Sequence, residues 1–475
     1  MNDQFTRRRF LGSLLAAAGT GGAPFALNLA AVGNAAAASA TDYKALVCLF
    51  MSGGNDHYNT LLATDPESWR EYLRLRDTGD AQSIALPAVG ASKGVLPIVP
   101  NTAQAGRSFA LHPQLTGLKS LFDAGRAAAV ANVGPLVVPT TRSQYLSNAV
   151  PLPPKLFSHN DQQAAWQASR PEGARVGWGG RISDMLRSSN TNSSFTCVST
   201  AGSAVYLSGQ YVRQYQIAAN GQLAAIDGLG GTVFAGTAPL RTIVTGRSAG
   251  LIGSAYADIV GRAIDLEATL AGALVPSGAG GVPAPSAFVI PSSGVSSVNP
   301  LAQQLQTVAR MIASRNALGM KRQVFFVNLG SFDTHDNQKE RQGDMLARLS
   351  HALTYFDTVM GNLAGTNMRN QVTLFTASDF GRSLTSNGDG TDHGWGSHHF
   401  VIGGAVRGKN IYGAMPEIGL GHDRDASQGA LVPSYSVEQY GATLAKWFGL
   451  SATQTLDAFP NLSNFSLRDL GFMTA

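Results

Sequence analysis

The chain has 475 residues, of which only 14% are charged, with a formal net charge of +5 and two cysteines. No block of Lys and Arg occurs outside Arg7–Arg9, so the electrostatic footprint of a nucleic-acid binder is missing. Two cysteines exclude a disulfide-stapled scaffold and any Cys-based metal motif.

Residues Thr6-Arg7-Arg8-Arg9-Phe10-Leu11 fit a twin-arginine export signal, and Ala38-Ser39-Ala40 offers a small-x-small cleavage site after a weakly apolar stretch. Pro24 and Asn28 interrupt that stretch, and no run reaches the roughly 20 apolar residues of a membrane span. We expect residues 1–40 to be a signal peptide read by the twin-arginine machinery. Residues 41–475 are then the mature domain, periplasmic or secreted, with no stable membrane anchor after processing. Processing removes three Arg and one Asp and leaves a formal charge of +3.

Five apolar runs follow in chain order: 44–53, 127–134, 194–200, 323–331 and 371–379. They are apolar at nearly every position, the mark of strands covered on both faces of a parallel sheet. Cys48 and Cys197 lie inside two of them and read equally well as buried free thiols or as a pair. Helical periodicity falls at 248–274, 300–318, 339–363 and 436–448, the last with Ser436 as N-cap and Gly449 as C-cap. Alternating strands and helices predict an α/β sandwich. Residues 205–245 read as a small insertion and the Gly-, Pro- and Ser-rich segment 275–298 as a loop or flap, so the domain carries an irregular insertion near 205–298.

In open α/β sheets ligands sit beyond the carboxyl ends of the strands. Three predicted strands run there into carboxylates: Asp56 after the first, Asp333 with His335 after 323–331, and Asp379 with Arg382 after 371–379. A Gly-bounded stretch, "GTDHGWGSHHF", then adds Asp392, His393, His398 and His399. Carboxylate and imidazole delivered to one edge of a rigid scaffold suit a divalent ion. We therefore expect Asp56, Asp333, His335, Asp379, His393 and His398 or His399 as ligands, enough for one or two ions. Each aspartate has a plainer reading as the N-cap of a following helix. "VVPTTRSQYLSN" sits after a strand and opens a helix, where free backbone N–H groups favour an anion. Thr140, Thr141 and Ser143 are candidate nucleophiles there, with Arg142 as oxyanion partner, against an equally good reading as ordinary N-capping. Asn55, Asn59, His112, His159 and Arg382 are expected to line the substrate cleft. His57, His351 and His422 read as structural or exposed.

The order of these motifs resembles the alkaline phosphatase and sulfatase superfamily. "FMSGGNDHYNTL", "ALHPQLTGLKSLFDAGR", "FDTHDNQ" and "SDFGRSLTSNGDGTDHGWGSHHFVIGGAVRGKNIYG" look more closely like the bacterial family of unknown function numbered 1501, over nearly all of the mature chain. The resemblance implies an alkaline phosphatase-like three-layer sandwich with a mostly parallel sheet. It also implies hydrolysis of phosphate or sulfate esters, small or polymeric, with one or two divalent ions, zinc foremost and calcium or manganese as alternatives. Asp56, Asp333 and Asp379 would match three metal carboxylates, and Ser143, which falls in the family's Arg-Ser pair, would be the favoured nucleophile. Two departures stand out. Asn337 replaces the histidine four places after Asp333, with His335 two places after instead, and Phe380 replaces the histidine after Asp379. Asp392-His393-Gly394 could supply the missing imidazole if the chain folds back. A non-catalytic exported binding or assembly protein on the same fold remains the alternative. A further one is an esterase using Ser248 of Gly246-Arg247-Ser248-Ala249-Gly250 with Asp333 and His393. No sulfatase Cys-x-Pro-x-Arg motif is present.

Overall fold

The structure is a computed structural model and describes residues 40, 42–223, 238–247 and 250–474. The expected signal segment up to Ser39, and Ser248, lie outside the described residues. Residues from Tyr43 onward form one compact unit. Among the described residues no helix is long and apolar enough to cross a membrane.

The described residues build a nine-stranded central sheet. Its strands are β1 (Lys44–Met51), β2 (Ala127–Gly134), β3 (Cys197–Ser199), β4 (Gln214–Gln216), β5 (Arg322–Leu329), β6 (Val372–Ser378), β7 (Ser397–Ile402), β8 (Ile411–Tyr412) and β9 (Tyr435–Ser436). The order is β8-β2-β7-β6-β1-β5-β3-β4, with β9 also on β2. All pairings are parallel except those of β7, which runs against both β6 and β2.

Alternate residues of the central strands serve two apolar layers, as the two-residue period of a strand requires. Val47, Leu49, Phe325 and Val327 pack with helices α2 (Thr116–Asp123), α7 (Pro300–Ala313) and α8 (Gln338–Gly361). Leu46, Cys48, Phe326 and Phe375 pack with α4 (His159–Ala168), α5 (Trp178–Leu186) and α9 (Val437–Phe448). Both faces are therefore covered, which is why these strands read as unbroken apolar runs. Each large side chain so buried stabilises the sandwich by about 1.5–3 kcal/mol. Helix α9 begins with a capping box between Ser436 and Gln439 and ends at Gly449. Helix α6 (Leu251–Ala273) lies where the periodicity at 248–274 places a helix, inside the expected insertion, and 275–298 carries a short hairpin of Phe288–Val289 with Ser296–Ser297 and an isolated bridge between Ser277 and Val282.

Register brings three strand ends level. Met51 of β1 stands opposite Leu329 of β5 and Ser378 of β6. The Ser378 hydroxyl donates to the Met51 carbonyl and accepts from Asn55 N–H, so the turn carrying Asp56 is stapled to the strand carrying Asp379. Gly53 (φ +113°) allows a close approach, since a Cβ there would lie 2.4 Å from Asp333 N.

Cys48 and Cys197 are both buried and free. Desolvation pushes both thiols up, Cys197 to about 12. A thiol reagent at about pH 8 should therefore label neither cysteine in the native protein and both in denaturant. Labelling of the native state within minutes would contradict this packing.

Candidate metal centre

Four side chains converge beyond the ends of β5 and β6. Asp333 follows β5 in a turn in which Ser331 adopts φ +75°. His393 returns to it on a hairpin, Arg382–Ser386 against Thr391–His393, in which Arg382 stands opposite His393. The chain thus folds back as the spacing of Asp392-His393-Gly394 allows. Gly390 permits the contact, because a Cβ there would lie 2.3 Å from the His335 carbonyl. His159 arrives from the first turn of α4.

The distances define one small cluster. His393 Nε2 lies 3.2 Å from Asp333 Oδ1, and His335 Nε2 lies 3.1 Å from the same oxygen and 3.0 Å from His393 Nε2. His159 Nε2 lies 3.4 Å from Asp333 Oδ2. One ligand atom each from His159, Asp333 and His393 falls within 4.8 Å of the others. Ligands at about 2.0–2.1 Å from a zinc-sized ion stand roughly 3.0–3.4 Å apart, from cis-octahedral to tetrahedral edges. The contacts made to Asp333 fall in that range, so His159, Asp333 and His393 fit such an ion, with His335 beside Asp333 and His393.

The outer nitrogens of two imidazoles are spoken for. His393 Nδ1 donates to the Phe157 carbonyl at 2.7 Å. Phe157 is held at φ +69°, an uncommon conformation for a bulky residue and a typical sign of local strain at a working site. His159 Nδ1 bonds Asp379 Oδ2 at 2.7 Å, and Gln163 Nε2 donates to that oxygen at 2.8 Å. Anchoring Nδ1 leaves Nε2 of each ring facing Asp333, the orientation that second partners impose on metal-ligating histidines. Asp379 thus orients His159 through Oδ2, while its buried Oδ1 has no hydrogen-bond partner among the described residues, and the converging group is His159, Asp333 and His393. His159, expected to line the substrate cleft, lies in that group.

Charge follows geometry. The hydrogen bond to Asp379 raises His159 above the usual imidazole range, against desolvation. Desolvation works to raise Asp333, but the Arg382 guanidinium, with His159 and His335, holds it down at about 2. Desolvation lowers His393, opposed by the Phe157 carbonyl.

Several expected residues are taken up elsewhere. Asp56 lies in a fully buried bidentate pair with Arg76 and also accepts from Gln338 Nε2 at 2.6 Å, so its oxygens do not face the cluster as ligands. His398 and His399 belong to interior strand β7, not to a loop. His398 Nδ1 accepts from Asn132 N–H, and His399 packs on Trp166 and Tyr440. Desolvation brings both rings to about 3, so they stay neutral. Asn59 is spent on Ile84, Tyr72 and Arg76, Asn55 is buried against Thr60, and His112 is buried with Nδ1 accepting from Gln114 N–H. None of these three faces a cleft. Arg382 is fully buried and donates to Asp333 at 2.8 Å, so it orients a carboxylate and has no face for a substrate. Thr141 caps the short helix α3 (Arg142–Leu146) in a capping box with Gln144, and Arg142 donates to the Asp425 carbonyl. Ser143 is exposed, and no described contact joins it to the cluster. In the Ser248 scheme His393 would need a nitrogen for the serine, yet its two nitrogens face Phe157 and the Asp333–His335 pair.

Sequence reading missed Arg76, Gln163, Gln338 and the Phe157 carbonyl. Only Arg76 left a signal: with Ser68 and Tyr72 it recurs every four residues on the buried face of helix α1 (Pro66–Arg76).

In metal-free protein His159 should titrate above its unfolded value. Its bridge then stabilises the fold fully below about pH 6.5 and ceases to do so as pH rises through the raised value. His159→Gln should remove that component from a plot of melting temperature against pH, and an unchanged plot would contradict the bridge.

The family described as Protein of unknown function (DUF1501) matches residues 287–458. That span holds Asp333, His335, Asp379, Arg382 and His393 but not Asp56, Arg76 or His159. No curated protein matches the chain. Among solved structures, Ps i-CgsB in complex with k-i-k-neocarrahexaose aligns with a TM-score of 0.35 at 9% identity, over 89% of this chain and 77% of that one. A Bacteroides thetaiotaomicron structure described under the metabolism of multiple glycosaminoglycans aligns with a TM-score of 0.33 at 8% identity, over 87% and 74%. Likenesses this loose carry no chemistry to this chain.

Proposed function

We propose that this chain is an exported metal-dependent hydrolase of phosphate or sulfate esters, with its ion held by Asp333, His393, His159 and His335. One observation carries the reading: two imidazoles with anchored Nδ1 atoms turn Nε2 toward a single carboxylate. Zinc suits this nitrogen-rich set best, with manganese or iron as alternatives. When bound, such an ion supplies Lewis-acid charge at an ester oxygen and lowers the pKa of water. Asp379 and Phe157 hold the imidazoles in place, and Arg382 keeps Asp333 ionised. Side-chain exposures of 43% for Asp333 and 45% for His335 leave the cluster open to an ester from solvent. Among the described residues no Ser or Thr hydroxyl bonds to these four side chains, so water is the nucleophile this arrangement favours. The same observation is the best support for the alternative, a non-catalytic exported binding protein.

Protein purified with its signal and without chelator should carry bound zinc, iron or manganese. Asp333→Ala/His393→Ala should lose it, and Asp379→Ala should bind about 10–100-fold more weakly. Hydrolysis of aryl phosphates and sulfates should fall at least about a hundredfold in the double variant. A folded protein that takes up no metal would end the hydrolase reading. One that holds metal and cleaves no ester would favour the binding protein.

A further inference from the structure

We propose that the Arg76 guanidinium is a built-in cation standing where a second ion would be expected, so that the centre holds one ion. The inference rests on the reading of Asp333, His393, His159 and His335 as an ion site. Resemblance implies that the carboxylate after the first strand, Asp56, is a metal ligand, and the residues around it do not fit an ion while Arg76 is present.

A guanidinium has five N–H donors and no proton to lose at ordinary pH. All five of Arg76 are used. Nε donates to the Leu384 carbonyl at 2.9 Å, and Nη1 donates to Asp56 Oδ2 and, at 2.9 Å, to Asn59 Oδ1. Nη2 donates to Asp56 Oδ1 at 2.9 Å and to the Ser383 carbonyl at 2.8 Å. Asp56 also accepts from Gln338 Nε2 and Tyr58 N–H. The Tyr58 and Tyr72 rings lie 5.3 and 5.8 Å from the guanidinium carbon. Arg76 and Asp56 have no exposed side-chain surface. An ion entering here would have to expel a buried guanidinium and strand its charge, which is among the costliest changes a folded interior can undergo.

The acceptors of Arg76 are five oxygens: two from Asp56, one from Asn59 and two backbone carbonyls. An all-oxygen set of this kind matches a hard cation such as calcium, unlike the imidazole-rich cluster at Asp333. Gln338 and Thr391 connect the two, since Gln338 bonds both Asp56 and Thr391, and Thr391 bonds Arg382, the partner of Asp333. A permanent charge at Arg76 thus holds one end of the network that positions the ion-binding carboxylate.

The first test is a zinc titration of the metal-free wild-type protein, followed by an anomalous-scattering map of the zinc-soaked crystal. One site is expected, beside Asp333 and His393. No zinc there would remove the underlying ion-site reading, whereas a second peak against Asp56 with Arg76 in place would overturn this inference alone. The second test is Arg76→Ala. It should melt about 5–10 °C below wild type and recover most of the loss in millimolar calcium, which should leave wild type unchanged. A variant as stable as wild type, or a destabilised one that calcium does not rescue, would overturn the built-in cation. If the variant does not fold, the wild-type map decides.

Discussion

Two buried arginines each hold a carboxylate, and the candidate site depends on the hydrogen-bonded chain between them. Arg382 Nε–H donates to the Thr391 hydroxyl, Thr391 donates to Gln338 Oε1, and Gln338 Nε2 donates to Asp56, which Arg76 holds from the other side. Every donor in the sequence points the same way. The Gln338 amide has one allowed orientation, because an ionised carboxylate only accepts, so the amide nitrogen must face Asp56 and the oxygen is left to Thr391 and Thr334. Chains of this kind reinforce one another in a low dielectric, and a break leaves buried groups unsatisfied. A buried ion pair alone is weak support for stability. Two pairs locked together through neutral amide and hydroxyl groups serve to fix position. Asp333, at one end, is thereby held where imidazoles from two other segments can reach it.

Much of the architecture was legible because the main sheet is covered on both faces. β2 spans the residues read from its apolar run, and the other runs differ from their strands mainly at the ends. The capping box at Ser436 lies where the sequence places it. Level strand ends follow from parallel pairing, so the convergence of Asp56, Asp333 and Asp379 on one edge could be read as well. The fate of each carboxylate could not. Asp56 meets a guanidinium from the end of α1, and Asp379 meets imidazole and amide groups from α4. Those partners are brought in by helix packing, which leaves almost no local trace beside the acids themselves.

The histidine-rich stretch shows how quickly one segment passes from site to core. His393 sits on a hairpin edge, part-exposed, with a ring contact to Phe380 at 4.4 Å. Phe380 holds the position at which resemblance implies a histidine, and His393 lies over it after a turn of the chain. A few residues later β7 enters the sheet between β6 and β2. Successive residues of a strand face opposite sides. His398 accordingly lies 4.8 Å from the His57 ring, while His399 packs into the opposite layer on Trp166, at 4.6 Å. Residue type alone marks all three as possible ligands, and strand alternation separates them.

Local backbone conformation completes the division of labour. Phe157 and Ser331 both take positive φ without being glycine, and each lies two residues before a member of the cluster, His159 and Asp333. Relaxing Phe157 would turn its carbonyl away from His393 Nδ1 and leave that ring free to rotate. Conformations of this kind persist only where the surroundings over-determine them. The surroundings here are the Asp379–Gln163 clamp on α4 and the Arg382–Thr391 hold on the hairpin. Both clamps act from beneath the cluster, in the buried layer, and leave its outer side open around His335 and Asp392. A rigid floor under an open face lets the converging atoms keep their spacing, and this is the arrangement an ion site needs to bind without refolding.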